Sequence, residues 1–489
     1  MSQFKSALYW LAMMTTLGEP LQALAHAPQV HSGAAAERTR DGQAVVDLWQ
    51  LSQEATFEDQ RILAARARNQ SSQWRKREAL GQLLPQVNAS GSFSRSEQET
   101  EQNRLLYNGD RYMLGLSQAL YDPKIWHNYR RFSALAQQQA AEYEATREAA
   151  TVDLIERYFM VLAAEDQLEL VRAELRTTQH NLDRVNALYS RQLAMITDTL
   201  EMSARVDALE AAEIKAHNTV ATSREALSEL VGHSLSGQLK RIGEQANFYP
   251  PAQGLEYWEQ QAMASNPTLL ARQKAVDAAQ ASLRQAKSGH LPSVNLNLAA
   301  QRSDIGYENS MTPRTDTYVA SVGVMVPIYS GGSTSAQVSS TYEDLMTAEH
   351  ELEAVRREVI RETRTAYSGM EAGLNKIAAS RKALESARKS RQAAEKAFGF
   401  GMMNAVDVLN TVKEEYATHR DLLKSQYDFI MNIMVLRRWS GTLVNDDVRK
   451  VNEWLVSPDE PQTINLSLCA DTRCLPLPSS SATGHTRHP

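Results

Sequence analysis

The sequence predicts an α+β membrane protein built by internal duplication, in which a β-hairpin is followed by a very long helix, twice over. Three observations carry that prediction. Leu84-Pro85-Gln86-Val87-Asn88 returns as Leu291-Pro292-Ser293-Val294-Asn295, Tyr121-Asp122 as Tyr329-Ser330, and Thr197-Asp198-Thr199-Leu200 as Val406-Asp407-Val408-Leu409, each about 208 residues later. After each hairpin the apolar period changes to the helical one and holds from Lys124 to Gln192 and from Thr334 to Phe398. The first of these stretches contains neither proline nor glycine, and at ~1.5 Å per residue it approaches ~100 Å. Helices this long need neighbours along their whole length, and a ring of them makes a tube.

The elements follow in order. Lys5, the apolar run Ala7 to Leu17 and Ala23-Leu24-Ala25 read as a secretory signal peptide, residues 1–25, cut after Ala25. That run is too short to span a bilayer, and no cysteine near the cut offers a lipid attachment point. A small, polar leader covers residues 26–42. The first repeat, 43–232, opens with one helical pattern from Val45 to Gly81 carrying Leu48, Leu51, Ala55, Ile62 and Ala65, stopped at Leu83-Leu84-Pro85. A hairpin at about 86–120, a long helix at about 123–192 and a return helix at about 197–232 follow. Residues 233–254 read as an irregular linker. The second repeat, 255–441, places its hairpin at about 293–328 and its two helices at about 333–398 and 404–441. Residues 442–489 turn mixed and then Pro- and Ser-rich, a composition that resists folding.

The hairpins alternate strictly. Val294, Leu296 and Leu298 interleave with Asn295 and Asn297, and the return strand Tyr318 to Val326 follows a loop holding Pro313. One face is apolar and the other carries Asn and Ser. Two readings are open: a half-buried sheet of a soluble domain, or a barrel wall with lipid outside and water inside. Two hairpins cannot close a barrel, for which roughly eight strands are the minimum, so a barrel requires several chains. In the second long helix Leu345, Leu352, Val359 and Ala366 are spaced by seven, with Val355 beside them, as in a coiled-coil seam.

Composition narrows the function. A chain that is 43% hydrophobic, 22% charged and formally −6 has no basic bias that would call for nucleic acid. Cys469 and Cys474, the only cysteines, either close a small disulfide loop in an exported protein or stand as two thiols in the tail; no histidine set completes a zinc site. There is no phosphate-binding glycine loop, and His350-Glu351 lacks the second histidine of a metal pair, so neither enzyme chemistry nor a cofactor is expected. Tyr112, Tyr121, Trp126, Tyr318 and Tyr329 lie near strand ends, where they either anchor a barrel at the bilayer interface or simply pack.

Two segments resemble a known family. Phe398-Gly399-Phe400-Gly401-Met402-Met403-Asn404-Ala405-Val406-Asp407-Val408-Leu409-Asn410 is similar to the periplasmic-turn signature of the TolC family of outer-membrane efflux and secretion channels. Val326-Pro327-Ile328-Tyr329-Ser330-Gly331-Gly332 resembles the family's Pro-Leu-(Phe/Tyr)-x-Gly-Gly join of hairpin to helix. The resemblance runs from about Val45 to Val451 and includes both copies. It implies a homotrimer: a twelve-stranded outer-membrane β-barrel with four strands per chain, continued by a periplasmic coiled-coil barrel. The implied partners are outer-membrane lipid, a periplasmic adaptor and an inner-membrane ABC or other transporter.

The same resemblance assigns candidate residues. Asp407 and Asn410 lie three apart on one helix face and would ring the periplasmic constriction, where acids favour cations. The family often has a second acid where this chain has Asn410. The competing reading makes Asp407 a helix cap. Asp198 takes the matching place in the first copy, a cap with a residual gating role. Its family partners, a tyrosine and an arginine, are replaced by Phe398 and Met403, so the family's closed-state latch cannot form as usual. The expectation is therefore an exit duct of an envelope-spanning export machine, for type I secretion of a large adhesin or toxin. Small-molecule efflux is the alternative, and a pore-less periplasmic scaffold a remoter one that the alternating hairpins argue against.

Overall fold

The computed structural model of the chain describes residues 45–102, 104–243, 246–307 and 314–457. The signal segment, the leader, Pro313 and the Cys469/Cys474 pair lie outside them. The first repeat runs β1 (Val45–Val46), α1 (Leu48–Glu58), α2 (Gln60–Gly81), β2 (Gln86–Glu99), β3 (Arg104–Tyr121), α3 (Pro123–Tyr189) and α4 (Ile196–Val231). Two short strands, β4 (Gln238–Leu239) and β5 (Arg241–Ile242), lead to the second. It runs α5 (Leu255–Ser265), α6 (Pro267–Lys287), β6 (Ser293–Tyr307), β7 (Thr315–Met325), α7 (Ser333–Gly399) and α8 (Ala405–Trp439), followed by α9 (Asn445–Glu453) and β8 (Leu455–Val456). The copies match element for element: α3 and α7 are each 67 residues long, and α1 and α5 each 11.

Two local expectations are corrected. The single helix from Val45 to Gly81 is a strand and two helices, broken at Asp59, whose backbone is extended (ψ 113°). Asp59 accepts the Arg61 N–H at 2.8 Å and so caps α2, as Asn266 caps α6 by accepting from Leu269 at 2.9 Å. The apolar period passes through the break unchanged, which is why periodicity alone misses it. The linker read as irregular supplies β4, parallel to β1, and β5, antiparallel to β8. Two-residue strands are too short to show a period.

The four long strands form one antiparallel sheet in the order β2-β3-β6-β7. Its register sorts the side chains cleanly. Val87, Leu116, Leu298 and Ala320 stand opposite one another across the sheet on one face. Ser117, Asn297 and Ser321 do so on the other. The apolar face carries Phe93 and Tyr112, edge to face at 5.7 Å, and Tyr121 near the opposite end. The nine steps from Tyr112 to Tyr121 cover ~30 Å along a strand, close to the ~25 Å apolar band of a tilted barrel wall. Level with Tyr112, its register partner Arg302 pairs with Asp316 at 2.8 Å, so the same face turns charged at that end. No helix among the described residues is long and apolar enough to cross a membrane. Within one chain β2 and β7 are each paired on one side only. In hydrocarbon every unpaired N–H and C=O costs several kcal/mol, so these edges must be met by other copies.

Below the sheet the long helices pair antiparallel, α3 with α4 and α7 with α8, and α3 also meets α8. The largest core forms where α1, α9 and the short strands cross them, burying Leu48, Leu51, Tyr158, Leu162, Phe429, Ile430, Leu436 and Val448. The Tyr158 hydroxyl donates to the Lys240 carbonyl at 2.8 Å, tying α3 to this girdle. Both return helices end on a left-handed glycine, Gly232 (φ 77°) and Gly441 (φ 65°), where no Cβ opposes the turn.

Higher up α3, Glu148 keeps one carboxylate oxygen buried and unpartnered, and burial raises its pKa to about 7 against the pull of Arg147. A carboxyl raised above its unfolded value favours folding at low pH, and that advantage is lost as pH climbs from about 4.5 through about 7. Glu148→Gln is expected to leave trimer stability unchanged at pH 4 and to raise it at pH 8. Thermal melting at the two pH values reads the difference, and an equal shift at both would assign the effect to packing instead.

Candidate functional site

The sequence-predicted residues converge on two tight turns at the end of the molecule farthest from the sheet. In the first copy the turn runs from Tyr189 to Ile196 and passes through Gln192 in the left-handed region (φ 59°). In the second it runs from Gly399 to Ala405 through Gly401 (φ 72°), the equivalent position. Glycine adopts that conformation freely; glutamine does so at a cost of about 1–2 kcal/mol. Gln192→Gly is therefore expected to steady the first turn, read as slower amide hydrogen exchange over residues 188–198.

Asp407 occupies the third position of α8, and both it and Asn410 are exposed on one face while Val408 and Leu409 are buried. The cap is Asn404, whose side-chain oxygen accepts the Asp407 N–H at 2.7 Å. Asp407 thus caps nothing with its carboxylate, and the capping reading passes to Asn404. Asn followed three residues later by an acid is an N-terminus signature that the sequence displays. Asp198 differs. Its carboxylate accepts the Met195 N–H at 3.4 Å, closing the first turn of α4.

Phe398 and Met403 pack on either side of the same turn. Phe398 bridges a cluster of Val185, Met202 and Leu409 and a second of Ala394, Val408 and Val412; Met403 joins the second. The Arg184 guanidinium, from α3 of the first copy, lies 4.5 Å from the centre of the Phe398 ring. A cation–π contact therefore spans the two repeats where the resemblance implied an absent latch. Further along the helices Thr177 and Tyr416 join α3 to α8 through their hydroxyls at 3.3 Å, and Glu415 takes Arg391 and Arg388 from α7. Sequence reasoning missed Arg184 because nothing local marks which cation reaches an aromatic ring two hundred residues away.

The tips themselves are apolar and uncovered. Phe400 and Met402 are 82% and 80% exposed, Leu193 and Met195 are exposed on the neighbouring turn, and Leu200 is exposed at the start of α4. Such a contiguous patch at the end of a helical pair marks a contact surface. No group of three or more His, Cys, Asp or Glu among the described residues is placed to hold a metal ion.

With that geometry in place, three comparisons bear on it. The family described as "Outer membrane efflux protein" matches residues 51–233 and 258–442, one stretch per repeat. Outer membrane protein TolC of Vibrio cholerae is 28% identical over 414 residues, 84% of this chain and 94% of that protein. Alkaline protease secretion protein AprF of Pseudomonas aeruginosa is 30% identical over 374 residues, 76% of this chain and 77% of that protein. Among solved structures, the Campylobacter jejuni CmeC outer membrane channel superposes with a TM-score of 0.74 at 14% identity, covering 83% of this chain and 89% of that one.

Proposed function

Because the chain belongs to the outer membrane efflux protein family, we propose that it is the exit duct of a type I protein-secretion machine. It is an outer-membrane channel reaching into the periplasm, and it is not an enzyme. Three copies bring twelve strands into one barrel, so each β2 edge finds a β7 edge of the next copy, and their helices continue as a tube. It works with a periplasmic adaptor and an inner-membrane transporter. The energy for export comes from that transporter, since a tube has no chemistry of its own.

The observation that carries the secretion reading is the relative named for alkaline protease secretion, 30% identical over three quarters of both chains. We infer a secreted protein as the cargo class, a large adhesin or toxin in our reading, while the relative's name speaks of a protease. Comparing secreted and surface-shaved proteins of a deletion strain with its parent tests it. Loss of one or a few very large proteins is the expected result. An unchanged profile with new drug susceptibility would move the assignment to small-molecule efflux.

In this reading the two turns form the periplasmic mouth. Asp407 of three copies faces the axis, Arg184 on Phe398 holds the repeats closed, and the apolar tips meet the adaptor. A cation–π contact is worth ~0.5–1 kcal/mol, so losing three together favours the open mouth by roughly tenfold or more. Arg184→Ala should accordingly raise single-channel open probability in planar bilayers; Arg184→Lys should retain part of the closure. Unaltered gating in both variants would remove Arg184 from the mouth's closure.

A further inference from the structure

We propose that the β-barrel carries on its inner face a belt for phosphate-class oxyanions, built from Arg111 and the hydroxyls of Ser92, Ser303 and Thr315. Strand register sets these four in one row across the sheet. Ser92 of β2 stands opposite Arg111 of β3, Arg111 opposite Ser303 of β6, and Ser303 opposite Thr315 of β7. Successive side chains of a strand point to opposite faces, so this row lies on the face of Ser117, Asn297 and Ser321. The next row, with Tyr112, Arg302 and Asp316, lies on the apolar face. Lipid covers the apolar face of a barrel wall, and the row of Arg111 therefore borders the lumen. Arg111, Ser92 and Thr315 are exposed there, with Ser303 half-buried beside them.

Charge singles this row out. Among the described residues of the four strands, Arg111 is the one charged side chain at any position of the lumen face; its neighbours there are serine, threonine, asparagine, glutamine and small apolar residues. The acids of the strands, such as Glu97, Asp110, Asp304 and Asp316, take positions on the opposite face, where Asp316 answers Arg302 and Glu97 answers Arg104. No carboxylate therefore shares the lumen face with Arg111 to occupy its guanidinium. A guanidinium is a planar fork of N–H donors that matches two oxygens of a phosphate, and hydroxyls on both sides add further donors. Threefold symmetry sets three Arg111 at one height, and rings of arginine suit anion and phosphate passage. Twelve strands ~4.8 Å apart and tilted ~40° give a circumference of ~75 Å, hence a backbone radius of ~12 Å. In a passage that wide, an anion of several linked phosphates can meet more than one guanidinium, which a single small anion cannot.

The belt belongs to the barrel and is independent of the cargo the duct serves. The test uses the full trimer in a planar bilayer at low salt, with sodium tripolyphosphate added on the barrel side. Concentration-dependent interruptions of the current are expected, and raising the salt should weaken them. Arg111→Gln removes all three charges and should raise the half-blocking concentration about tenfold or more. Arg111→Lys keeps the charge but loses the fork, and should fall between the two. Ser92→Ala, which leaves the charge alone, should raise the half-blocking concentration by less than Arg111→Gln. Arg111 is exposed, so these replacements disturb no packing. Conductance steps that tripolyphosphate does not interrupt, or interruptions that Arg111→Gln leaves at the same concentration, overturn the belt while leaving the duct reading intact.

Discussion

Gly441→Ala is expected to abolish the heat-sensitive trimer, while the matching Gly232→Ala preserves it. The two glycines end equivalent return helices with nearly the same backbone, φ 65° and 77°. Alanine in that conformation costs about 1–2 kcal/mol at either site. The surroundings separate them. A Cβ on Gly232 would meet the Glu58 Cβ and one of its carboxylate oxygens at an ordinary 3.6 Å. On Gly441 it would lie 2.3 Å from the Ser265 carbonyl oxygen and 2.8 Å from the Asn266 nitrogen. These are backbone atoms at the junction of α5 and α6, where Asn266 caps one helix and donates through its amide to the Trp439 carbonyl at 2.9 Å. They cannot yield without undoing that cap, and overpacking adds about 1–3 kcal/mol to the backbone cost. Against a marginal total the sum is large. Cold and heated samples on a denaturing gel report trimer for each variant. Equal behaviour of the two would show that the Ser265 approach does not govern the junction.

Asp407→Ala is expected to remove the channel's preference for cations. Were the three proposed carboxylates to ring the axis at about 6 Å, they would stabilise a passing cation by roughly 2 kcal/mol before salt screening, enough for about tenfold selectivity. Asn410 shares the exposed face and adds no charge, so Asn410→Asp should increase the preference. Reversal potentials across a salt gradient measure both. If Asp407→Ala leaves the reversal potential where it was, Asp407 contributes only to the field at the start of α8, and the narrowest ring lies elsewhere.

Much of the architecture was legible because duplication and period are long-range averages. Sixty-seven residues of helical period outvote any local ambiguity, and the alternation of Val294, Leu296 and Leu298 with asparagines specifies a two-faced strand. What escaped was short or non-local. The break at Asp59 hid inside a continuous apolar stripe, and the girdle strands are two residues long. At the second turn, spacing puts Asp407 and Asn410 on one face, but only the fold separates the cap, Asn404, from the free carboxylate three residues on. Phe398 was visible as a departure from the family pattern. Its contact with Arg184 required the fold, since the two meet only when α3 and α7 end side by side.

The pore itself is tested most directly by reconstituting the purified heat-sensitive trimer into a planar bilayer. A sealed tube of three chains predicts discrete conductance steps that shift to larger, longer openings with Arg184→Ala. A protein that extracts from membranes with salt and gives no conductance steps in either form would be a periplasmic scaffold, and the channel account would be wrong.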